Sequence, residues 1–419
     1  MHKRSLIHWA WIILAVCFVD LFVNYSIRLG YGVILPEMIR TLDFSRTAGG
    51  SIYNSYLFTY IILTPFTGYL TDRFGARRVI TVCACFLSLG VLLMGTVQNL
   101  GMACLFYAIA GLGATGMWTP VITLVQRWFA FHRRGLALGI LSTGYGLGFA
   151  TIGVAFPWIV HQFSWRFAWY FMGACALLMI AANGMLLKSD PESSGWRPWG
   201  EKNPSPVGAE AAVSSPKALR LSVFFKDSRF WLIGVSYLSM AYGLYGITTF
   251  MVDYAKYQLE LPLARASLLA TIHGTSQIAG VLTVMPLSDH WGRKKTIILS
   301  NSCIIIALSG ILFAGNSWGL LCFFVAMLAI FYGVTFPIYG ACAGDYFPRE
   351  VMGTVIGAWT PFYGIGAISA HWVTGFLRDI TGKYDLAFKI NVVMALLGLL
   401  LIAFVKKMGR VDNPKKGVP

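Results

Sequence analysis

Charged residues are scarce in this 419-residue sequence, at 12% of the chain. That is about half the fraction usual for a soluble globular protein. Acidic residues are the scarcer sign, 17 against 33 lysines and arginines, which gives a net charge of +16. A water-soluble fold is therefore disfavoured, and the hydropathy has to be explained before the positive charge is assigned to any partner.

Several signatures of soluble chemistry are also missing. The eight cysteines lie within apolar runs, with no Cys-x-x-Cys pair and no Cys/His cluster at metal-ligand spacing. The sequence has neither a P-loop nor an HExxH metal-binding motif. It thus predicts no disulfides, no metal, no cofactor, no enzymatic activity and no ATP-driven transport by this chain alone.

Long apolar runs dominate instead, and apolar residues make up 57% of the chain. A helix of about 20 residues crosses a bilayer, so twelve such helices would occupy roughly 240 positions. That share of the chain is close to its share of apolar residues. Short polar turns divide the sequence into twelve such runs, numbered here as spans 1 to 12: residues 9–38, 47–71, 79–98, 101–126, 134–160, 165–187, 228–252, 264–288, 294–314, 318–344, 351–376 and 386–405. The sequence therefore predicts an all-α integral membrane protein with twelve transmembrane helices.

A polar stretch rich in Pro, Ser, Gly and charge separates spans 6 and 7. It predicts a linker over 188–227 between an N-terminal bundle (1–187) and a C-terminal bundle (228–405), followed by a tail over 406–419. Most lysines and arginines fall in the N-terminal segment, the even-numbered loops, the linker and the tail, which the positive-inside rule assigns to the cytoplasm. We expect a multi-pass, monomeric protein of the inner (plasma) membrane, embedded in lipid, with both termini cytoplasmic. Topology accounts for the net charge, so no nucleic-acid partner is predicted.

The two halves of the sequence repeat each other. Shifting the chain by 217 positions places the glycine- and arginine-rich segment 68–78 on 285–295, and places Gly116 and Pro120 on Gly333 and Pro337. A repeat of this length indicates two six-helix bundles in the same orientation.

The segment Gly68-x-Leu-x-Asp-Arg-x-Gly-x-Arg-Arg resembles the signature of the major facilitator superfamily, and the copy after span 8 lies where that superfamily repeats it. The resemblance covers nearly the whole chain and implies two pseudo-symmetric bundles that move a solute by alternating access. It also implies that loop residues latch the cytoplasmic side when that side is closed. The predicted gating residues are Gly68, Asp72, Arg73, Gly75, Arg77, Arg78, Arg127, Asp289 and Lys294. The alternative is that the basic residues among them only set topology.

Two shorter patterns are similar to particular branches of the superfamily. Arg127-Trp-Phe, followed by Arg133-Arg-Gly-Leu-Ala-Leu-Gly, is similar to carriers of organic anions, including the oxalate/formate and monocarboxylate branches. Asn24-Tyr-Ser-Ile-Arg28 resembles the arginine-bearing first helix of the anion:cation symporters. Monocarboxylate carriers place a substrate-binding arginine in span 8 where this sequence has Val281, so that role does not carry over.

Span 1 contains two charged residues within its apolar run. Asp20, Asn24 and Arg28 follow one another at four-residue spacing, which predicts one shared helical face. Burying either charge in lipid would cost at least about 2.5–3.5 kcal/mol, so we expect that face to line a watery path. A guanidinium suits a carboxylate, phosphate or sulfonate, so Arg28 with Asn24 is the predicted anion site, unless Arg28 forms a structural pair. Asp20 is either a proton site or a carboxyl group bonded to a nearby loop or linker group.

Further polar groups lie near the middles of the other spans. His273 titrates in the right range to carry a coupling proton, or else it is a neutral histidine bonded between helices. The remaining predicted substrate-binding residues are Tyr31, Trp118, Tyr245, Gln277, Tyr332 and Tyr339. Each aromatic residue taken singly is more often a packing residue than a ligand, but as a group they suit a substrate with an apolar body and one anionic end.

These observations predict the uptake of a small organic anion, with a carboxylate as the favoured class, in symport with a proton. An inside-negative membrane potential opposes anion entry, and a co-transported proton offsets it. One alternative is a proton-coupled exporter of amphipathic or cationic compounds in which Asp20 binds the substrate or the proton. Another is a non-transporting membrane sensor on the same fold, for which the short linker offers no obvious signalling domain.

Overall fold

The computed structural model describes residues 8–130, 133–201, 225–347 and 349–405, except for the side chains of 289 and 349–354. All twelve predicted spans are helical within these residues: Trp9–Leu42, Arg46–Phe74, Ala76–Met94, Leu100–Trp128, Arg134–Gln162, Trp165–Leu186, Ser228–Tyr257, Leu263–Trp291, Arg293–Ala314, Trp318–Tyr346, Arg349–Thr381 and Asp385–Phe404. Ten of the twelve, all but spans 2 and 11, are long and apolar enough on these criteria alone to cross a bilayer. The predicted all-α, twelve-span fold is confirmed.

Two spans are interrupted within their length. Span 4 consists of Leu100–Ala114 and Thr119–Trp128, joined by a 3₁₀ turn and by the non-helical Trp118. Pro120 lies in the first turn of the second piece, where its missing N–H costs no hydrogen bond. Span 7 is likewise divided into Ser228–Thr248 and Met251–Tyr257. Both interruptions lie beside the residues described in the next subsection.

The repeated sequence segment forms the same turn in both halves. Gly75 joins spans 2 and 3 with φ +85° and ψ +145°, and Gly292 joins spans 8 and 9 with φ +87° and ψ +138°. A positive φ of this kind is strained for any residue with a Cβ, which explains the glycine at each position.

The two halves meet along spans 5 and 8 and along spans 2 and 11. Spans 2 and 11 are closest near the membrane face opposite the linker. A Cβ added to Gly50 would lie 2.7 Å from the carbonyl oxygen of His371, and one added to Gly375 would lie 2.7 Å from that of Arg46. Toward the linker face, a Cβ added to Gly68 would meet nothing within 4 Å. Spans 2 and 11 are therefore closely packed at the opposite face, whereas nothing packs against Gly68 toward the linker face.

Candidate functional site

Arg28 lies at the centre of the molecule, between the two halves. It is the one lysine or arginine that is buried among the described residues, with 7% of its surface exposed. Its Nη2 donates a hydrogen bond of 2.7 Å to the hydroxyl of Tyr245 in span 7, whereas its Nε has no partner. No described carboxylate forms an ion pair with Arg28. The site therefore holds a buried positive charge that no described carboxylate neutralises.

Tyrosine rings surround this guanidinium. Its Cζ lies 5.3 Å from the ring centre of Tyr60, 5.7 Å from that of Tyr25 and 6.0 Å from that of Tyr56. Such rings attract a cation through their electron-rich faces, but they do not cancel its charge. Tyr25 and Tyr60, on the linker side of Arg28, are half-buried, whereas Tyr56 is fully buried. We call Arg28, Tyr25, Tyr56, Tyr60 and Tyr245 the Arg28 cluster.

Several predicted substrate-binding residues adjoin the Arg28 cluster. Asn24 accepts a long hydrogen bond of 3.4 Å from the hydroxyl of Tyr56. The ring of Trp118 lies 6.3 Å from that of Tyr25, and the ring of Tyr332 lies 6.3 Å from that of Tyr245. The cluster thus combines one cation with hydroxyl groups and apolar ring surface.

Other predicted residues lie away from it. Tyr31 donates a hydrogen bond of 2.7 Å to the backbone of Gly49, between spans 1 and 2. The hydroxyl of Tyr339 is bonded to Ser236 at 2.7 Å and to Asn301 at 3.0 Å inside the C-terminal half. Both tyrosines therefore join helices of the same half in this structure.

The structure corrects the expectation that Asp20 shares the face of Arg28. Asp20 is fully buried against span 6, where its Oδ1 accepts a hydrogen bond of 2.9 Å from Asn183. Eight residues at about 100° each leave roughly 80° between the two side chains, enough to place them on different sides of span 1. Asp20 Oδ2 and Asn183 Oδ1 have no partner among the described residues. Asp20 therefore lies inside the N-terminal half and not on the path beside Arg28.

His273 and Gln277 lie near the contact of spans 5, 8 and 10. The imidazole of His273 is fully buried, 5.2 Å from the ring of Phe149 and 4.9 Å from that of Tyr332, and neither ring nitrogen has a described partner. Gln277 Oε1 is also unpartnered. These two polar side chains are thus buried among apolar and aromatic neighbours.

A second buried histidine, absent from the residues that the sequence suggested, lies between the halves. His371 in span 11 places Nδ1 2.7 Å from Oδ1 of Asn54 in span 2 and Nε2 2.8 Å from the hydroxyl of Thr249 in span 7. Asn54 also donates a 3.0 Å hydrogen bond to the carbonyl of Ile368, one turn earlier in span 11. We call Asn54, Thr249 and His371 the inner seal. The only sequence signal for it was a histidine within an apolar run.

An outer layer of charged contacts closes the same face. Lys256 of span 7 is ion-paired with Glu37 of span 1, and Arg46 Nε lies 3.3 Å from Asp253 Oδ2. The carboxylate of Asp379 in span 11 accepts hydrogen bonds from the first two backbone amides of span 2. We call Glu37, Arg46, Asp253, Lys256 and Asp379 the outer seal. Both seals connect the two halves.

The predicted gating residues at the linker face contact their own half or the linker. Arg127 lies 3.7 Å from Asp72, whose side chain is 77% exposed, and 3.1 Å from Asp190 of the linker. Arg77 bonds to the carbonyl of Gly184. Arg73 bonds to Tyr69, and Lys294 bonds to the carbonyls of Ala403 and Val405. Arg78 lines an open cavity of about 1170 Å³ together with Arg73, Arg77 and Arg127. The side chain of Asp289 lies outside the described residues.

Within residues 8–130, 133–201, 225–347 and 349–405, no three His, Cys, Asp or Glu side chains are grouped so that they could hold an ion. The charged and polar groups instead form one central cation and two layers of contacts that join the halves.

Comparison with known proteins places this architecture in a family. The profile of the Major Facilitator Superfamily matches residues 13–265 and 236–419. A probable sulfoacetate transporter of Cupriavidus necator is 23% identical, over 96% of this chain and 95% of its own length. The cis,cis-muconate transport protein of Acinetobacter baylyi is 22% identical, over 82% of this chain and 81% of its own length. The solved structure of a D-xylose-proton symporter superposes with a TM-score of 0.76 at 15% identity, covering 96% of this chain and 99% of that one. This chain belongs to the Major Facilitator Superfamily, a family of membrane transporters.

Proposed function

We propose that this transporter carries a small organic anion, with a carboxylate as its charged end, together with a proton. The single observation that carries the proposal is the buried guanidinium of Arg28, which has an unpartnered Nε and no ion pair with any described carboxylate. A buried charge is costly unless it is paired, so the site favours a ligand that brings a negative charge. A planar carboxylate fits the donor geometry of a guanidinium.

The relatives support the same substrate class. Sulfoacetate and cis,cis-muconate, the compounds named for two of them, both carry carboxylates. The tyrosines and Trp118 around Arg28 offer apolar surface to the body of such a compound and hydroxyl groups to its polar atoms.

Alternating access accounts for the asymmetry of the molecule. The seals close the face opposite the linker, and the described bonds of the predicted gating residues at the linker face lie within their own half or reach the linker. If the linker face is cytoplasmic, as the distribution of lysine and arginine predicts, this conformation is open to the cytoplasm. In the other conformation the seals separate and the loop residues around Asp72 and Asp289 latch the cytoplasmic side.

A proton is the proposed coupling ion because an anion entering alone would move against an inside-negative potential. The sequence suggested Asp20 and His273 as its carriers. Both are buried, but the one polar partner of Asp20 belongs to its own half and His273 has none among the described residues. The exporter alternative, which needs Asp20 on the path, gains no support from this position.

Lumen acidification of proteoliposomes tests the proposal. A trapped pH dye is read while sulfoacetate, cis,cis-muconate, lactate, phosphate or a lipophilic cation is added outside, with the membrane potential clamped. We expect at least one carboxylate to acidify the lumen with the wild type and with Arg265→Gln, an exposed arginine, but not with Arg28→Gln. The proposal is wrong if no anion moves protons, or if Arg28→Gln acidifies the lumen as fast as the wild type.

A further inference from the structure

His371 is bonded across the contact between the two halves, which neither Asp20 nor His273 is. Its two ring nitrogens are bonded to side chains from two other spans, and the Nδ1 contact with Asn54 joins the C-terminal half to the N-terminal half. The outer seal lies between His371 and the membrane face, and the Arg28 cluster lies on its other side. Spans 2 and 11 pack closely here, since a Cβ added to Gly50 would lie 2.7 Å from the carbonyl oxygen of His371.

Opening of this face must break the contact between His371 and Asn54. Spans 2 and 11 cannot separate while Asn54 bonds to both the imidazole and the carbonyl of Ile368. Once they separate, one ring nitrogen faces water from that side. An imidazole in water exchanges its second proton near neutral pH, so the opened site can take one up.

When the face closes, a protonated His371 is enclosed and needs a negative charge near it. The groups that face the imidazole are Tyr53 at 4.7 Å between ring centres, Tyr245 at 5.6 Å, and the guanidinium of Arg28, which is bonded to the hydroxyl of Tyr245. None is anionic, and the other described contacts of the ring, Asn54, Thr249 and Phe250, are uncharged. A protonated His371 sealed beside Arg28 would leave two positive charges together without a negative one. A bound carboxylate supplies that charge.

We propose that His371 is the proton-coupling residue of this transporter and that the inner seal closes over a protonated imidazole only when an anion occupies Arg28. The proton adds to the ring nitrogen that lacks hydrogen while the face is open, and it leaves with the anion when the linker face opens. Proton and anion then favour each other's binding by the same factor, as linkage requires. The inference rests on the proposed anion–proton symport and assigns the proton to a residue.

The test compares net proton-coupled uptake with exchange in proteoliposomes. The probe is cis,cis-muconate or, if the wild type does not carry it, the carboxylate that acidified the lumen. The variants are His371→Gln, His273→Gln as the competing candidate, and His161→Gln, an exposed histidine near the same face, as the matched control. Counterflow, the exchange of external labelled anion for internal unlabelled anion, reports binding and conformational change without net proton movement.

For the wild type, His161→Gln and His273→Gln, lowering the external pH from about 8 to about 5.5 should raise uptake by about 30-fold, following the protonated fraction of one imidazole. For His371→Gln we expect a change below about 2-fold and no lumen acidification, with counterflow retained. The assignment would be overturned if His371→Gln acidified the lumen with the same number of protons per anion as the wild type. Loss of counterflow in His371→Gln at both pH values would also overturn it, because the imidazole would then serve binding or folding. Loss of coupling in His273→Gln alone would overturn it as well. A wild type that moves no protons with any anion refutes the symport itself.

A second variant covers the case in which His371→Gln is not recovered as a folded protein. Asn54→Asp keeps the shape of the side chain that faces Nδ1 but places a carboxylate there, which holds the imidazole protonated. We expect counterflow that varies less than about 2-fold between about pH 5.5 and about pH 8, without lumen acidification. Normal coupling in Asn54→Asp would contradict the proposal.

Discussion

Asp379 provides a direct way to weaken one conformation of this transporter. Its two carboxylate oxygens accept hydrogen bonds from the backbone amides of Arg46 and Thr47, both at 2.8 Å, and from the hydroxyl of Thr47 at 2.6 Å. The carboxylate thus caps the N-terminus of span 2, although it belongs to span 11 in the other half. All three bonds join the two halves, so opening of the face opposite the linker would break them.

The size of the effect follows from these contacts. In Asp379→Asn, one oxygen becomes an NH₂ group that faces hydrogen-bond donors, and the negative charge at the helix N-terminus is lost. Loss of an N-cap and of the charge–dipole interaction costs about 1–2 kcal/mol at a partly exposed site. This corresponds to roughly a 5- to 30-fold shift of the equilibrium toward the conformation that is open at this face.

Distances between spin labels measure this equilibrium. One label replaces Gln162 at the end of span 5 and the other replaces Lys383 between spans 11 and 12, both exposed and in different halves, in a background whose native cysteines have been replaced. We expect Asp379→Asn to increase the long-distance population at the expense of the short one. Asp43→Asn, an exposed aspartate between spans 1 and 2, is the matched control and should leave the distribution unchanged. Equal populations in Asp379→Asn and the wild type would refute the role given to this cap.

Three further results are expected. Gly50→Ala should also increase the long-distance population, because its Cβ would lie 2.7 Å from the carbonyl oxygen of His371, whereas Gly184→Ala, whose Cβ would meet nothing within 4 Å, should not. Asp20→Asn should keep the unfolding temperature in detergent close to that of the wild type, since the new amide can donate to the unpartnered Asn183 Oδ1. Asp20→Leu should lower it, because the buried Asn183 amide is left unpaired at a cost of about 1–3 kcal/mol. Equal unfolding temperatures for the two variants would contradict this account of the pair. Trp199→Ala should speed proteolysis within the linker, because the Trp199 ring anchors the start of the linker, 5.0 Å from the ring of Trp11 and 5.7 Å from that of Phe129. An unchanged cleavage rate would show that backbone contacts hold the linker without this side chain.

Much of the fold was predictable because a bilayer imposes a simple pattern on sequence. Apolar runs long enough to cross a bilayer marked all twelve spans, and the repeated glycine-containing segment marked the equivalent turns at Gly75 and Gly292. The ends of the runs were less certain, since span 1 extends to Leu42 and span 11 to Thr381 beyond the purely apolar segments.

The site was predictable only where one helix determines it. A charged residue in the middle of span 1 identified Arg28, because such a charge is too costly without a function or a partner. The same reasoning misplaced Asp20, whose partner Asn183 lies 163 positions away and could not be inferred from spacing along one helix. His371 was missed for the same reason, since its role depends on Asn54 and Thr249, which other spans bring to it.

We propose that Arg28 provides the charge that binds an anionic substrate. Binding of cis,cis-muconate, or of the carboxylate that acidifies the lumen, to purified protein in detergent tests it without any requirement for transport. Removing one partner of a buried charge pair costs about 2–5 kcal/mol, so we expect Arg28→Gln to bind at least about 30-fold more weakly, while Arg265→Gln keeps the wild-type affinity. An Arg28→Gln affinity within about 3-fold of the wild type would contradict the claim.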